Sequence, residues 1–130
     1  MTKSFVLAKE AFGKFFTILK SRGIVYAPVK VSAQSFSFRQ VQAPDQIAFE
    51  ALRTILPPKK FFYPPQETLM TYEGNTVNEH QSDLEFQVLF GIHPCDLAGF
   101  GVLDAVFGAE PADSHYRTRR GTSCVISLAC

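Results

Sequence analysis

Apolar residues recur every three or four positions at Phe5, Ala8, Phe12, Phe15, Phe16 and Leu19. That spacing places them on one helix face, with Lys9, Glu10, Lys14 and Lys20 on the other. It predicts an amphipathic packing helix over residues 5–20, weakened a little by Gly13 and stopped by Gly23. The pattern then changes. Ile24 to Val31 reads as a strand, in which Pro28 lacks a donor and so marks an edge or a bulge. Ser35 to Val41 alternates polar and apolar residues as a half-buried strand does, and Ser32-Ala33-Gln34 is short enough for a hairpin. After Pro44-Asp45 a brief helix is predicted to hold Ile47, Phe49, Leu52 and Ile55.

Pro57 to Pro65 contains two Pro-Pro pairs and predicts a rigid extended ribbon carrying Lys59, Lys60 and three aromatics. It suits either an anionic or planar partner or a crossover pinned to the core by its rings. Gln66 to Glu73 leads into a third extended segment, and the polar run 74–83 reads as a loop tip. The last part reads strand (85–92), tight turn, helix (94–108), polar connector (109–121) and strand (122–129). Such a βαβ unit implies a parallel pair. Gly99 and Gly101 in its helix cost about 1 kcal/mol each relative to alanine, which close approach to the sheet or to a bound group would offset. The expected fold is α/β, with α+β as the alternative. It has a mixed sheet of about five strands, an N-terminal amphipathic helix and a C-terminal parallel βαβ unit.

The 130 residues fit one domain, residues 1–130, and 46% hydrophobic against 19% charged content describes a chain that folds. A net charge of +1 gives no field for nucleic acid or an acidic membrane surface. Lys9 and Glu10 interrupt the first apolar run too early for a signal peptide, and no run reaches the roughly 18 apolar residues of a membrane span. A soluble cytoplasmic protein is expected. Three cysteines, an odd number without a CxxC pair, make a disulfide scaffold a poor explanation.

Cys95 stands between the strand and the helix, in Phe90-Gly91-Ile92-His93-Pro94-Cys95-Asp96-Leu97. A helix's first turn offers unpaired N–H groups and the positive dipole end, a field that favours a thiolate. The plainer account is that a lone cysteine is packing. Cys130 ends the last strand, so a parallel βαβ topology carries it toward the same sheet edge as Cys95. Ligands of open α/β sheets bind at that edge. Cys124, at the other end of that strand, reads as core. His93 could ligate a metal or act as a base, but a local bond or cap is the favoured reading. Asp96 suits the helix dipole. Arg119-Arg120 could hold a carboxylate or phosphate, but a solvated surface turn, or a pairing with Asp104 or Asp113, is the more ordinary account.

Four blocks carry a resemblance. They are Tyr26-Ala27-Pro28-Val29, Pro58-Lys59-Lys60-Phe61 through Glu67, Phe90 to Ala98 continuing through Leu103-Asp104, and Asp113, Tyr116 and Arg119-Arg120 with the strand ending at Cys130. In that order the chain resembles the N-terminal half of the iron–sulfur electron-transfer subunits of cytoplasmic sulfhydrogenases and of the A subunit of anaerobic sulfite reductase. The resemblance implies electron transfer between a flavoprotein and hydrogenase or reductase subunits. It also implies that Cys95 and Cys130 are ligands of a [4Fe-4S] cluster. His93 stands where that family has arginine, and Ala129 where it has asparagine. The family's Cys-x-Cys and C-x-x-C motifs beyond Cys130 are absent, so no complete cluster is expected in these residues alone. The expectation is the N-terminal portion of a longer redox subunit, not catalytic alone. The alternatives are a cofactor-free scaffold domain docking to an oxidoreductase, and a thiol enzyme with Cys95 as nucleophile and His93 as base.

Overall fold

The computed structural model describes residues 3–80 and 83–129. The elements among them follow in the order α1 (Phe12–Arg22), β1 (Ile24–Ser32), β2 (Ser35–Gln40), β3 (Met70–Glu73), β4 (Thr76–Glu79), β5 (Gln87–Ile92), α2 (Pro94–Phe107), α3 (Ser114–Gly121) and β6 (Ser123–Ser127). The main sheet has four strands in the order β2-β1-β5-β6. β1 runs antiparallel to β2 and parallel to β5, and β5 runs parallel to β6. The mixed α/β sheet, the N-terminal helix and the parallel βαβ unit expected from the sequence are all present.

Helices cover both faces of the sheet. Phe16 and Leu19 of α1 bury against Val25, Ala27, Val88 and Phe90. On the other face Phe62, Phe100 and Tyr116 bury against Phe38, Leu89 and Ile92. Each such valine, leucine, isoleucine or phenylalanine side chain contributes about 1.5–3 kcal/mol by leaving water. Helix α1 starts at Phe12, later than its apolar period suggests, after a 3-10 turn at Lys9–Ala11 that no side chain caps. Phe12 is the first residue of that stripe whose ring reaches the core, 5.8 Å from Phe90, whereas Phe5 is exposed.

The expected polar connector 109–121 contains helix α3, which Asp113 caps, and three other local expectations give way to tertiary bonding. Residues 47–55 are not helical. Ala48 N donates to Pro28 O and Ile55 N to Phe36 O, each at 2.8 Å, so the segment is bonded to the sheet strands. Ile47, Ala48 and Ala51 are buried there, and Phe49, Leu52 and Ile55 are exposed. The Pro-rich ribbon closes into a 3-10 turn at Pro58–Phe61. Its aromatics do pin it to the core, with the buried Phe62 ring 4.8 Å from that of Phe100. The third extended segment, β3, leaves the main sheet and pairs with β4, formed from part of the run expected to be a loop tip.

Two glycines shape the route to the β5–α2 turn. At Gly23 the backbone passes so close to Phe86 that a Cβ would overlap the Phe86 carbonyl oxygen. Gly91 has φ +83°, and a Cβ there would lie 3.0 Å from Pro28 Cδ. The register against β6 shifts at this point, between Phe90 and Ile92, so β5 bulges. Pro28 gives up no ladder bond to β5, because β1 pairs with it only over Ile24–Tyr26.

Candidate functional site

β5 ends at Ile92, His93 is the N-cap residue of α2, and Pro94 is the first helical residue. Proline suits that position because its φ is already helical and its missing N–H would be unpaired anyway. Cys95 follows in the first turn and is exposed. It lies just beyond the carboxyl end of β5, the edge of a parallel sheet where ligands bind. Cys95, Asp96, Gly99 and Val102 line a groove of about 390 Å³, with Pro57 and Lys59 on its other wall.

The end of β6 runs to the same place. Leu128 N donates to Ile92 O at 2.9 Å, and Ser127 Oγ donates to the same oxygen at 2.8 Å. The expected convergence of the two strand ends on one edge is therefore present as far as Leu128. Cys130, expected to share the site with Cys95, lies outside the described residues. Cys124, read as core from the sequence, is exposed. It pairs with the buried Val88, but β6 is an edge strand and Cys124 lies beyond the cover that the core provides at Val88.

His93 does not cap α2 with its side chain. Its Nε2 donates to Ala51 O at 2.7 Å, tying the β5–α2 turn to the loop after β2. That bond fixes Nε2 as a donor and removes it as the acceptor of a Cys95 proton.

Behind α2 lies a polar network. Asp104 accepts from Tyr116 Oη at 2.6 Å and from Arg120 Nε and Nη2 at 3.0 and 3.2 Å. Burial pushes the Asp104 carboxyl up. The Tyr116 and Arg120 hydrogen bonds and the Arg120 charge together outweigh burial and hold it below the usual carboxylate value. Burial, then the Asp104 bond and charge, push the Tyr116 phenol well above its ordinary value. The Arg120 guanidinium also lies over the Phe62 ring, 5.2 Å from its centroid.

Arg119 pairs with Glu67 through both oxygens, at 3.0 and 2.8 Å. The Nη2–Oε1 contact is short but poorly aligned, so Oε1 has no hydrogen bond of good geometry. His115 Nδ1 lies 3.4 Å from that oxygen, and Ser114 Oγ donates to Glu79 Oε1 at 2.8 Å. Asp113 caps α3 by accepting from Tyr116 N at 2.8 Å. Both arginines are thus engaged internally, Arg120 with Asp104 as one sequence reading had it. The Glu67 partnership went unread because 52 positions separate it from Arg119. The only signal is that both fall in blocks of the resemblance. The network holds α2 and α3 together and so fixes the helix that presents Cys95.

Among the described residues no group of three or more His, Cys, Asp or Glu side chains is placed to hold a metal ion. No helix among them is long and apolar enough to cross a membrane.

Compared with known proteins, the chain is 39% identical over 124 residues to Sulfhydrogenase 2 subunit beta of Pyrococcus furiosus. The match covers 95% of this chain and 36% of the length of that relative. No family model matches, and no solved structure does.

Proposed function

Over 95% of its length this chain belongs to the sulfhydrogenase beta-subunit family, and from that membership and the Cys95 corner we propose that it is the N-terminal portion of an iron–sulfur electron-transfer subunit. Its complex is a hydrogenase- or sulfite-reductase-type oxidoreductase. The 39% identity is the observation that carries the reading. The exposed thiol at the start of α2, on the carboxyl edge of the parallel strands, supports it. Cys95 is one cluster ligand and Cys130 a second, and a [4Fe-4S] cluster takes four thiolates as a rule. The exposed Cys95 thiol fits one corner of such a site. When bound, the cluster supplies one-electron transfer. This chain supplies a thiolate held at a fixed place by the β5 bulge, by Pro94 and by the Asp104 network. It does no bond-making chemistry alone, works in the cytoplasm, and has flavoprotein, hydrogenase or reductase subunits as partners.

The test is anaerobic expression of the full-length gene product, iron and sulfide reconstitution, and visible absorption with EPR. The wild type is expected to show a reducible cluster signal that Cys95→Ala removes or shifts. A Cys95→Ala protein with the wild-type signal and iron content would end the assignment. The scaffold reading is favoured by the exposed apolar surface of α2, and it predicts a stable complex without chromophore.

A further inference from the structure

Helix α2 has the composition of a buried helix and the exposure of a surface one. Leu97, Val102 and Val106 are 40%, 64% and 62% exposed. Phe100, Leu103 and Phe107 pack toward the core, and its charged residues, Asp96 and Asp104, are partly buried as well. Cys95, Gly99, Val102 and Val106 follow one another at helical spacing and form one exposed stripe. A helix that is apolar all round belongs in an interior. The glycines point the same way. Gly99 and Gly101 cost about 1 kcal/mol each relative to alanine, yet a Cβ at either would meet nothing within 4 Å. Neither the sheet nor anything else among the described residues approaches closely enough to offset that cost. Bare backbone on an apolar stripe admits the close approach of another segment. The stripe also forms one wall of the groove headed by Cys95.

We propose that this groove is the docking site of the cluster-bearing remainder of the subunit. An apolar segment packs along Gly99–Val106 and carries further cysteine thiolates to Cys95. The inference rests on the reading of Cys95 as a cluster ligand. Two observations favour this occupant over a second copy of the chain. The part shared with the Pyrococcus relative is 36% of that protein, which leaves most of its length to lie against this domain. The stripe also includes Cys95 itself, which is exposed. A cluster there needs donors from whatever covers the stripe.

Hydrogen exchange across α2 and iodoacetamide alkylation of Cys95 test the docking. Both are measured on the 130-residue chain and on the full-length gene product, each free of iron. Docking predicts exchange over residues 97–106 slower by about tenfold or more in the longer protein. Alkylation of Cys95 there is slower by about the same factor. Val102→Arg changes an exposed position, so the 130-residue chain keeps its circular dichroism. In the longer protein the same change abolishes the protection and lowers iron uptake. Equal rates in the two proteins, or full protection in the Val102→Arg variant, overturn the proposal. A coding sequence that stops at Cys130, or sedimentation showing two chains paired through α2, overturns it as well. Protection in a wild-type protein that takes up no iron upholds the docking and removes the electron-transfer reading, so the two failures are distinguishable.

Discussion

Replacing Asp104 by alanine tests whether the network behind α2 holds that helix. The carboxylate accepts one hydrogen bond from Tyr116 and two from Arg120. Tyr116 is 2% exposed. Water cannot readily replace its lost acceptor, and an orphaned buried hydroxyl costs about 1–3 kcal/mol. The Arg120–Asp104 pair is a third or more exposed, so its charge adds only about 0.2–1 kcal/mol. Asp104→Ala is expected to lose about 2–3 kcal/mol in all. Asp104→Asn keeps an acceptor for Tyr116 and loses about 1 kcal/mol. Urea unfolding of the 130-residue chain, followed by far-UV circular dichroism, reads both values. The double variant Asp104→Ala/Tyr116→Phe is expected to be no worse than Asp104→Ala, since no hydroxyl is left without a partner. The sign of the pH dependence is fixed. The folded carboxyl titrates below its unfolded value of about 3.9, so its contribution is full above that pH and is lost as pH falls through the folded value. The gap between wild type and Asp104→Asn is therefore flat from neutral pH down to about pH 5 and closes in acid. An Asp104→Ala cost under about 0.5 kcal/mol, or a gap that widens in acid, would refute the assignment.

Gly91→Ala combines a left-handed φ with a 3.0 Å approach to Pro28, and is expected to destabilise by about 1–3 kcal/mol in thermal unfolding. Gly13→Ala, with open space in α1, is expected to stabilise by about 0.5–1 kcal/mol; equal effects at the two sites would contradict the bulge. Glu67→Ala leaves Arg119, 11% exposed, without its carboxylate, and is expected to cost about 3 kcal/mol. Faster amide exchange at β4 should accompany that loss, because Glu67, His115 and Glu79 link α3 to the hairpin. Unchanged exchange there would mean that the link carries no restraint.

The strand–turn–helix around Cys95 was legible because three local signals agree: an apolar run into the sheet, Pro94 at the first helical position, and a long apolar helix. The parallel pairing followed from the length of the crossover. β4 was not legible, because β3 and β4 expose both faces and show no alternation. Residues 47–55 misled in the opposite way. Phe49, Leu52 and Ile55 suggest an apolar helix face, but the backbone bonds to Pro28 and Phe36 and buries Ala48 and Ala51 instead. Cys124 reads as core from its place at the far end of the last strand, and only the strand order shows that this strand is an edge. For the site, Cys95 and the Arg120–Asp104 pair could be read from local sequence. Glu67 with Arg119, and His93 with Ala51, depend on chain segments brought together only by the fold.

An iron anomalous-difference map from anaerobic crystals of the full-length gene product tests the identity of Cys95 most directly. An iron peak is expected within bonding distance of its sulfur, at the head of the groove between α2 and Pro57–Lys59. Iron bound elsewhere, with this sulfur free in solvent, would contradict it.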